Sequence, residues 1–418
     1  MIVQKQGKNI ALLAILVFIA ALTLRAPFLR YPPSIVFDEG LYADFATKFL
    51  HHEPYFDVHP PLAGMLFATA AWPHVKPTRT LHDIGSSFET FPYVRTRALN
   101  VLFGALLAPI VFFISYLLFG ARWWAALSGL LVAFDNALIV YSRAILPETP
   151  LLFFGFLGVL LFIASCKRRS WFLLVASAVL FGAAISIKWI GLGFPVPVLV
   201  YLFFKKRFFA IAAMSVTVLF VYIFVFHIFF MRVGSTPFSG KLVSEYRYSN
   251  GANIVETTRF LARHTVVMYR ANFTIPAHLA ASYPLLWPFG QKPVGFWAVG
   301  TDRIVLTPNL FGWWFVYLSV LVSALLYFLK KDFVHRRRVG YLLLAYSALY
   351  FPFFALWRPF FLYHYFSAVV FGYLVVPVAF SYILSIIAPR YSYQKAAAIA
   401  AALIIFSWAL VSPLTYGF

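Results

Sequence analysis

Acidic residues and cysteines are both scarce in this chain. Of 418 residues, 13 are Asp or Glu, against 34 Lys and Arg, and Cys166 is the single cysteine. One cysteine excludes an internal disulfide framework and a cysteine-rich metal site. The chain also lacks a Gly-rich phosphate loop, a nucleotide-binding βαβ unit and an Asp-x-Asp pair, so a cytosolic nucleotide is not expected as a substrate.

Long apolar runs dominate what is present. Hydrophobic residues make up 62% of the chain, charged residues 11%, and the mean hydropathy is +0.84. Only helices satisfy their own backbone polar groups across runs of this length in lipid. We therefore predict an all-α polytopic membrane protein, a single domain over 1–418 with eleven transmembrane helices. The predicted spans are 9–25, 98–119, 124–142, 148–166, 171–187, 190–204, 208–231, 311–329, 339–357, 362–388 and 396–415.

Basic residues in the short loops predict the orientation. Clusters at 167–169, 205–207 and 330–338 fall on one side, which the positive-inside rule assigns to the cytoplasm together with the N-terminus. Because these clusters are short and adjoin helix ends, the net charge of +21 indicates contact with membrane lipids and no nucleic-acid partner. The two long loops, 26–97 and 232–310, then face outward, where we expect the functional site.

The first outer loop is predicted to contain two interfacial helices. Leu41, Phe45 and Phe49 recur every four residues, which is typical of a helix with one face in lipid. A second helix is predicted at 62–72, begun by Pro60-Pro61 because proline suits a first helical turn.

The same loop concentrates acidic residues. Five of the 13 acids lie between residues 38 and 57 of this loop: Asp38, Glu39, Asp44, Glu53 and Asp57. Asp38 and Glu39 stand just before a predicted helix, where an acid caps free amides and complements the helix dipole. Alternatively, one of them is a general base whose pKa is raised by partial burial and by neighbouring acids. The sequence leaves both interpretations open.

His59 has three interpretations. With Pro60 and Pro61 it could form a rigid turn, it could donate a hydrogen bond to an anionic substrate, or it could orient Asp57. A zinc site made of His51, His52, Asp57 and His59 is a further alternative, although adjacent histidines usually point apart.

Two more acids stand in or beside predicted spans. Asp135 lies inside the span 124–142, so it must face protein or water, either tied to Arg97 or Arg143 or acting directly. Glu148 begins the span 148–166 on the outer side, where complementation of the helix dipole and catalysis both explain it.

Single cations mark the outer ends of several spans, against the positive-inside bias. Arg97, Arg143, Lys188 and Arg358 could each reach the interface by snorkelling. Four together favour a site for a phosphate at the lipid interface, with arginine offering bidentate contacts and lysine a point charge. A separate motif, Asn272-Phe273-Thr274, matches a glycosylation acceptor and is taken as a chance occurrence.

At these residues the chain resembles the protein O-mannosyltransferases, membrane glycosyltransferases of the C-type fold. The resemblance covers most of the spans, and its most specific part is the string from Tyr55 to Leu62. The motifs that carry it are Phe37-Asp38-Glu39, Tyr55-Phe56-Asp57-Val58-His59-Pro60-Pro61-Leu62, Pro92-Tyr93-Val94-x-x-Arg97, Phe134-Asp135-Asn136, Ser142-Arg143, Ser186-x-Lys188-Trp189 and Tyr363-His364-Tyr365-Phe366.

The resemblance implies a role for each of these residues. Asp38 would be the catalytic base, with Glu39 beside it and Glu148 as a second acid. Asp57 and Asp135 would support the site, which would need no metal and no cofactor. The residues implied to bind the donor phosphate or the substrate are His59, Arg97, Arg143, Lys188, Arg358 and His364.

The implied function is transfer of a sugar, with mannose expected, from a polyprenyl-phosphate carrier to a Ser or Thr hydroxyl of a secreted or membrane protein, with inversion. The active site would face outward in a prokaryotic cell membrane. The run 38–43 is more similar to the aminoarabinose lipid A transferases, so a lipid or glycan acceptor is the alternative. A transporter or flippase is a third alternative, but the chain shows no repeated, broken helices.

Overall fold

The computed structural model describes residues 2–73, 83–233, 254–388, 390 and 392–418. Its helices are α1 (Ile2–Arg25), α2 (Glu39–His51), α3 (Leu62–Ala71), α4 (Tyr93–Phe119), α5 (Arg122–Ala133), α6 (Asn136–Ser142), α7 (Glu148–Arg168), α8 (Trp171–Ile185), α9 (Val196–Phe204), α10 (Phe208–Val233), α11 (Ile254–Asn272), α12 (Leu310–Leu329), α13 (Arg336–Tyr350), α14 (Phe366–Ile387) and α15 (Tyr393–Tyr416). Short 3₁₀ turns at Trp189–Gly193, Pro284–Phe289, Phe351–Phe354 and Leu362–Tyr365, and strands β1 (Val294–Val299) and β2 (Asp302–Leu306), complete the fold.

Each predicted span coincides with helical structure. Within the described ranges, six helices are long and apolar enough to cross a membrane, or seven if the bent pair α5 and α6 is one span. The chain is thus a multi-pass membrane protein, while the count of eleven spans remains a prediction. The centre of the bundle is α14, where every residue from Phe366 to Ala379 is buried.

The predicted span 124–142 is not one straight helix. α5 ends at Ala133, α6 begins at Asn136, and the two are bent by 57°. Asp135 caps α6 by accepting the Leu138 N–H, and it also accepts hydrogen bonds from Trp313 Nε1 at 2.7 Å and from the Tyr373 hydroxyl. The predicted tie of Asp135 to Arg97 or Arg143 is therefore wrong: its partners are aromatic donors.

Arg25 stabilises the other side of this break. Its guanidinium is fully buried and donates to the carbonyls of Val132 and Ala133 at 2.9 and 3.0 Å. These carbonyls end α5, where the bend removes their usual helical partners. The bend redirects α6 so that it brings Tyr141 to Glu148, in the candidate site described below.

Both helices predicted in the first outer loop are present, as α2 and α3. The lipid-facing stripe is only partly correct. Leu41 is exposed and Phe49 is half-buried, but Phe45 is buried and stacks on Tyr55 with ring centroids 4.7 Å apart. Phe45 faces the protein because the segment after α2 folds back over it.

The second outer loop contains a β-hairpin that the all-α prediction missed. β1 and β2 pair antiparallel around Gly300 and Thr301, and Gly300 has a φ of 61°, which favours glycine at a tight turn. The Phe37 N–H donates to the Phe296 carbonyl at 2.8 Å, and the two rings stack at 4.7 Å. The hairpin therefore holds the segment that leads into Asp38.

Candidate active site

Asp38 lies at the start of α2 with an accessible side chain that is nevertheless surrounded by protein on most sides. It makes no side-chain capping hydrogen bond to α2, so capping does not explain it. Burial raises its pKa to about 6, while Lys188 lowers it, Glu148 raises it and His278 lowers it. A carboxylate that water can reach, with its pKa near neutrality, can accept a proton.

Glu39, although adjacent to Asp38, points into the protein. It is fully buried and pairs with Arg97 through two hydrogen bonds of 2.8 and 2.6 Å. Its oxygens also accept the backbone N–H groups of Val36 and Ile145 at 3.1 and 2.9 Å. This carboxylate is saturated, so the structure does not support the catalytic role predicted for it.

Arg97 also uses all of its hydrogen-bonding groups within the protein. Besides Glu39, it donates to the carbonyls of Leu29, Pro32 and Ser34 at 2.8 to 3.2 Å. A guanidinium has five N–H groups, and these contacts use all of them. The prediction that Arg97 binds the donor phosphate is therefore wrong, and Arg97 instead stabilises the chain that precedes Asp38.

Arg143 is a second predicted phosphate ligand that is engaged elsewhere. It donates to the carbonyls of Arg25, Pro27 and Phe28, and it lies over the Tyr416 ring at 4.8 Å. Like Arg97, it stabilises the segment between α1 and α2 and is not part of the cation group near Asp38.

Lys188 and Glu148 form a buried ion pair. Lys188 lies between α8 and the 3₁₀ turn at Trp189–Gly193, with its Nζ 5.6 Å from the centroid of the Tyr363 ring. The other oxygen of Glu148 accepts a hydrogen bond from the Tyr141 hydroxyl. Glu148 is thus held from two sides and positions the ammonium group.

Asp57 and His59 form a compact turn next to these charges. The Asp57 Oδ1 accepts the His59 N–H at 2.9 Å, which is an Asx turn. Burial raises the pKa of Asp57 to about 7, opposed by backbone N–H groups and by Lys188. Burial also holds the pKa of His59 well below its usual range, with Lys188, Arg358 and His364 adding to the shift. His59 is therefore a neutral imidazole, able to serve in a turn and as a hydrogen-bond donor.

Arg358 adds a second cation to this group of residues. It donates to Asn272 Oδ1 and to His364 Nε2, the latter at 3.3 Å, and it lies over the Phe360 ring at 5.0 Å. Because a guanidinium can only donate, Nε2 of His364 accepts, while Nδ1 lies 3.1 Å from the backbone nitrogen of Phe361 and 3.0 Å from its carbonyl oxygen. His364 thus orients Arg358.

An apolar groove of about 690 Å³ lies against the segment of the chain that contains Lys188. Ile185 and Trp189, on either side of Lys188 in the chain, line it together with residues of α9, α10 and α11. The other lining residues are Leu192, Pro195, Leu199, Met214, Ser215, Val218, Leu219, Tyr222, Thr265, Val266 and Tyr269. Such a groove can hold an aliphatic chain whose charged end lies near Lys188.

The structure thus gathers part of the predicted set. The predicted residues that influence one another's charge around this centre are Asp38, Asp57, His59, Glu148, Lys188, Arg358 and His364. Arg97, Arg143 and Asp135 lie outside it. Sequence reasoning assigned no role to four residues at the centre: Tyr141, Asn272, His278 and Tyr363. Tyr363 and Asn272 belong to sequence motifs, whereas Tyr141 and His278 carry no such signal.

The described part of the chain contains no preformed metal site, because no three His, Cys, Asp or Glu side chains lie around a common point there. One of the suggested zinc ligands, His52, is engaged elsewhere, since its Nδ1 contacts the Arg232 carbonyl at 2.7 Å. Metal independence remains a prediction.

Two protein-family models match this chain. Residues 15–231 match the dolichyl-phosphate-mannose-protein mannosyltransferase family, and residues 257–418 match the C-terminal four-transmembrane region of protein O-mannosyltransferase. The chain belongs to the protein O-mannosyltransferase family. Both halves of the site, Asp38 to Lys188 and Asn272 to His364, fall within the matched segments.

Individual relatives of the chain are also named as protein O-mannosyltransferases. Dolichyl-phosphate-mannose–protein mannosyltransferase 1 of Saccharomyces cerevisiae is 34% identical over 200 residues, which cover 46% of this chain and 24% of the yeast protein. Protein O-mannosyltransferase 1 of Drosophila melanogaster is 34% identical over 181 residues, covering 42% of this chain and 20% of the fly protein. The aligned part is therefore about a quarter or less of the length of these relatives.

Solved structures confirm the C-type glycosyltransferase fold. The yeast Pmt1-Pmt2 complex bound to the sugar donor superimposes with a TM-score of 0.82 at 18% identity, covering 98% of this chain and 90% of that chain. An oligosaccharyltransferase of Archaeoglobus fulgidus superimposes with a TM-score of 0.57 at 14% identity, covering 97% and 53%.

Proposed function

We propose that this protein transfers mannose from a polyprenyl-phosphate carrier to a Ser or Thr hydroxyl of a protein, with inversion at the anomeric carbon. One observation carries the proposal: an accessible carboxylate, Asp38, lies within electrostatic reach of Lys188, whose chain neighbours Ile185 and Trp189 line an apolar groove. Had Asp38 lain on the opposite face of the bundle from Lys188 and Arg358, the proposal would have failed.

The donor would occupy the groove and the cation cluster together. Its polyprenyl chain would lie along α9, α10 and α11, and its phosphate would contact Lys188 and Arg358. Neutral His59 would donate a further hydrogen bond. The pairing of Lys188 with Glu148 reduces the net charge of the site but fixes the position of the ammonium group.

The chemistry needs one base. Asp38 takes the proton from the acceptor hydroxyl as its oxygen attacks the anomeric carbon, and the bond between that carbon and the phosphate oxygen breaks. The electron pair leaves on polyprenyl phosphate, whose added charge Lys188 and Arg358 stabilise. Because the leaving group needs no proton, the paired acids of glycosidases are unnecessary. Attack opposite the phosphate inverts the anomeric centre.

A protein acceptor is favoured over a lipid or glycan. The relatives that match the chain are named as protein mannosyltransferases. These relatives are eukaryotic, and a prokaryotic origin and an outward-facing site remain predictions that rest on loop length and loop charge.

The test supplies purified protein with polyprenyl-phosphate mannose and, in parallel, a Ser/Thr-rich peptide and a lipid A acceptor. We expect a mass increase of one hexose on the peptide alone, with the product linkage determined by NMR. Hexose on the lipid alone would replace the proposal by the alternative acceptor, and no transfer to either would refute it.

A further inference from the structure

Asn272, the last residue of α11, contacts three parts of the molecule at once. Its Oδ1 accepts a hydrogen bond from Arg358, and its Nδ2 donates to the carbonyls of Val58 and Met268, both at 2.9 Å. Val58 lies in the turn between Asp57 and His59. Asn272 therefore joins the second outer loop, the first outer loop and the segment before α14 through one side chain.

The contact with Arg358 decides where that cation points. Arg358 is held by Asn272 on one terminal nitrogen and by His364 on the other, while its buried Nε has no partner in the described structure. With only side-chain contacts to orient it, a long flexible arginine would lose its fixed direction if one of them were removed. An unfixed side chain must be ordered when an anion binds, which weakens binding.

Asn272 is also continuous with the wall of the apolar groove. Thr265, Val266 and Tyr269 line the groove from α11, and Asn272 follows Tyr269 by less than one helical turn. The same helix thus contacts the proposed polyprenyl chain and, at its end, the arginine that faces the phosphate.

We propose that Asn272 is a positioning residue that aims Arg358 at the phosphate of a polyprenyl-phosphate ligand. The inference rests on the proposed function for the identity of the ligand. It also explains the motif Asn272-Phe273-Thr274 without glycosylation, because both amide hydrogens of Asn272 are already donated to backbone carbonyls.

The experiment measures binding of undecaprenyl phosphate, with undecaprenol as the ligand that has the same chain and no phosphate. Wild-type protein should prefer the phosphate. Asn272→Ala should weaken binding of undecaprenyl phosphate by about tenfold, the scale of one charge-assisted contact, and leave undecaprenol binding unchanged. Asn272→Asp keeps the shape of the side chain but places a carboxylate next to the guanidinium of Arg358. Because this negative charge opposes that of the phosphate, the variant should bind undecaprenyl phosphate more weakly even where the melting temperature is unchanged.

Two controls separate positioning from a general structural effect. Thr274→Ala removes the glycosylation motif and leaves the contacts of Asn272 intact, so it should bind like wild type. In an Arg358→Ala background, Asn272→Ala should have less than about a twofold further effect, because its route to the phosphate is already gone. An equal loss in both backgrounds, or an unchanged affinity of Asn272→Ala, would overturn the inference.

Mannose transfer is scored separately on the same preparations. If wild-type protein prefers undecaprenyl phosphate but transfers no mannose, the proposed function fails and the positioning role stands. If wild-type protein does not distinguish undecaprenyl phosphate from undecaprenol, the positioning role is refuted.

Discussion

Replacing Asp38 by Asn should abolish transfer and leave the protein folded. A positioned general base contributes roughly 10²- to 10⁴-fold to a rate, and Asn cannot accept the proton. Asp38 makes no capping hydrogen bond that Asn would lose. Burial raises its pKa to about 6, so the folded state prefers the neutral side chain. The stability that this preference contributes to the folded state falls as the pH rises from the pKa of Asp38 in the unfolded chain towards 6. It is therefore largely absent at pH 7, and Asn should not lower the melting temperature there.

The same pKa sets the pH dependence of the wild-type protein. With a pKa of about 6, roughly nine-tenths of Asp38 is ionised at pH 7 and roughly one-tenth at pH 5. The rate should therefore fall about tenfold over this range as the base is protonated. The assay follows kcat/KM for transfer of mannose to a Ser/Thr peptide in buffers from pH 5 to 8.

A matched control comes from the same loop. Asp44 lies on α2, pairs with Lys48 at 2.7 Å, and is not among the groups that shift the pKa of Asp38. Asp44→Asn should keep transfer within about twofold of wild type, since Asn retains an oxygen that can accept from Lys48 and the pKa of Asp38 does not depend on Asp44. Asp38→Asn with near wild-type turnover, or a wild-type rate that is constant from pH 5 to 7, would refute the assignment of the base.

Three further predictions test the surroundings of Asp38. Glu148→Gln should move the acid limb of the kcat/KM profile to lower pH, because it removes a charge that raises the pKa of Asp38 and frees Lys188, which lowers it; a shift to higher pH would contradict this. Glu39→Gln should cost roughly 3 to 5 kcal/mol of stability by leaving Arg97 buried without its partner, and an unchanged unfolding temperature in detergent would count against that role. Met214→Trp should raise the KM for a long-chain donor by narrowing the groove and spare a short-chain analogue, whereas equal effects on both donors would place the chain elsewhere.

Part of the site could be predicted from the sequence. Asp38, Glu148, Lys188 and Arg358 stand out because a charge beside a hydrophobic span needs a reason to be there. Two of them, Asp38 and Lys188, also belong to the motifs shared with the family. The hairpin β1–β2 was missed because two short strands are a weak signal within a loop flanked by long apolar helices.

The cations show where sequence reasoning ends. Arg97, Arg143, Lys188 and Arg358 look alike in the sequence, each a single positive charge at an outer helix end. In the structure, Arg97 and Arg143 donate their hydrogen bonds to carbonyls of the segment between α1 and α2. Lys188 and Arg358 instead lie close enough to His59 to shift its pKa. Asp38 and Glu39 separate in the same way, one accessible and one saturated by Arg97.

By itself, the sequence determined that the chain is a helical multi-pass membrane protein, and it predicted a site in the loop around Asp38. Lipid offers no hydrogen bonds, so long apolar runs must be helices and their rare charges must be used. The tertiary structure alone decided which charges are engaged in contacts that hold the fold and which gather around Asp38. That choice depends on acceptors far away in the chain, such as Glu39 for Arg97 and Asn272 for Arg358, which only folding brings within hydrogen-bond distance.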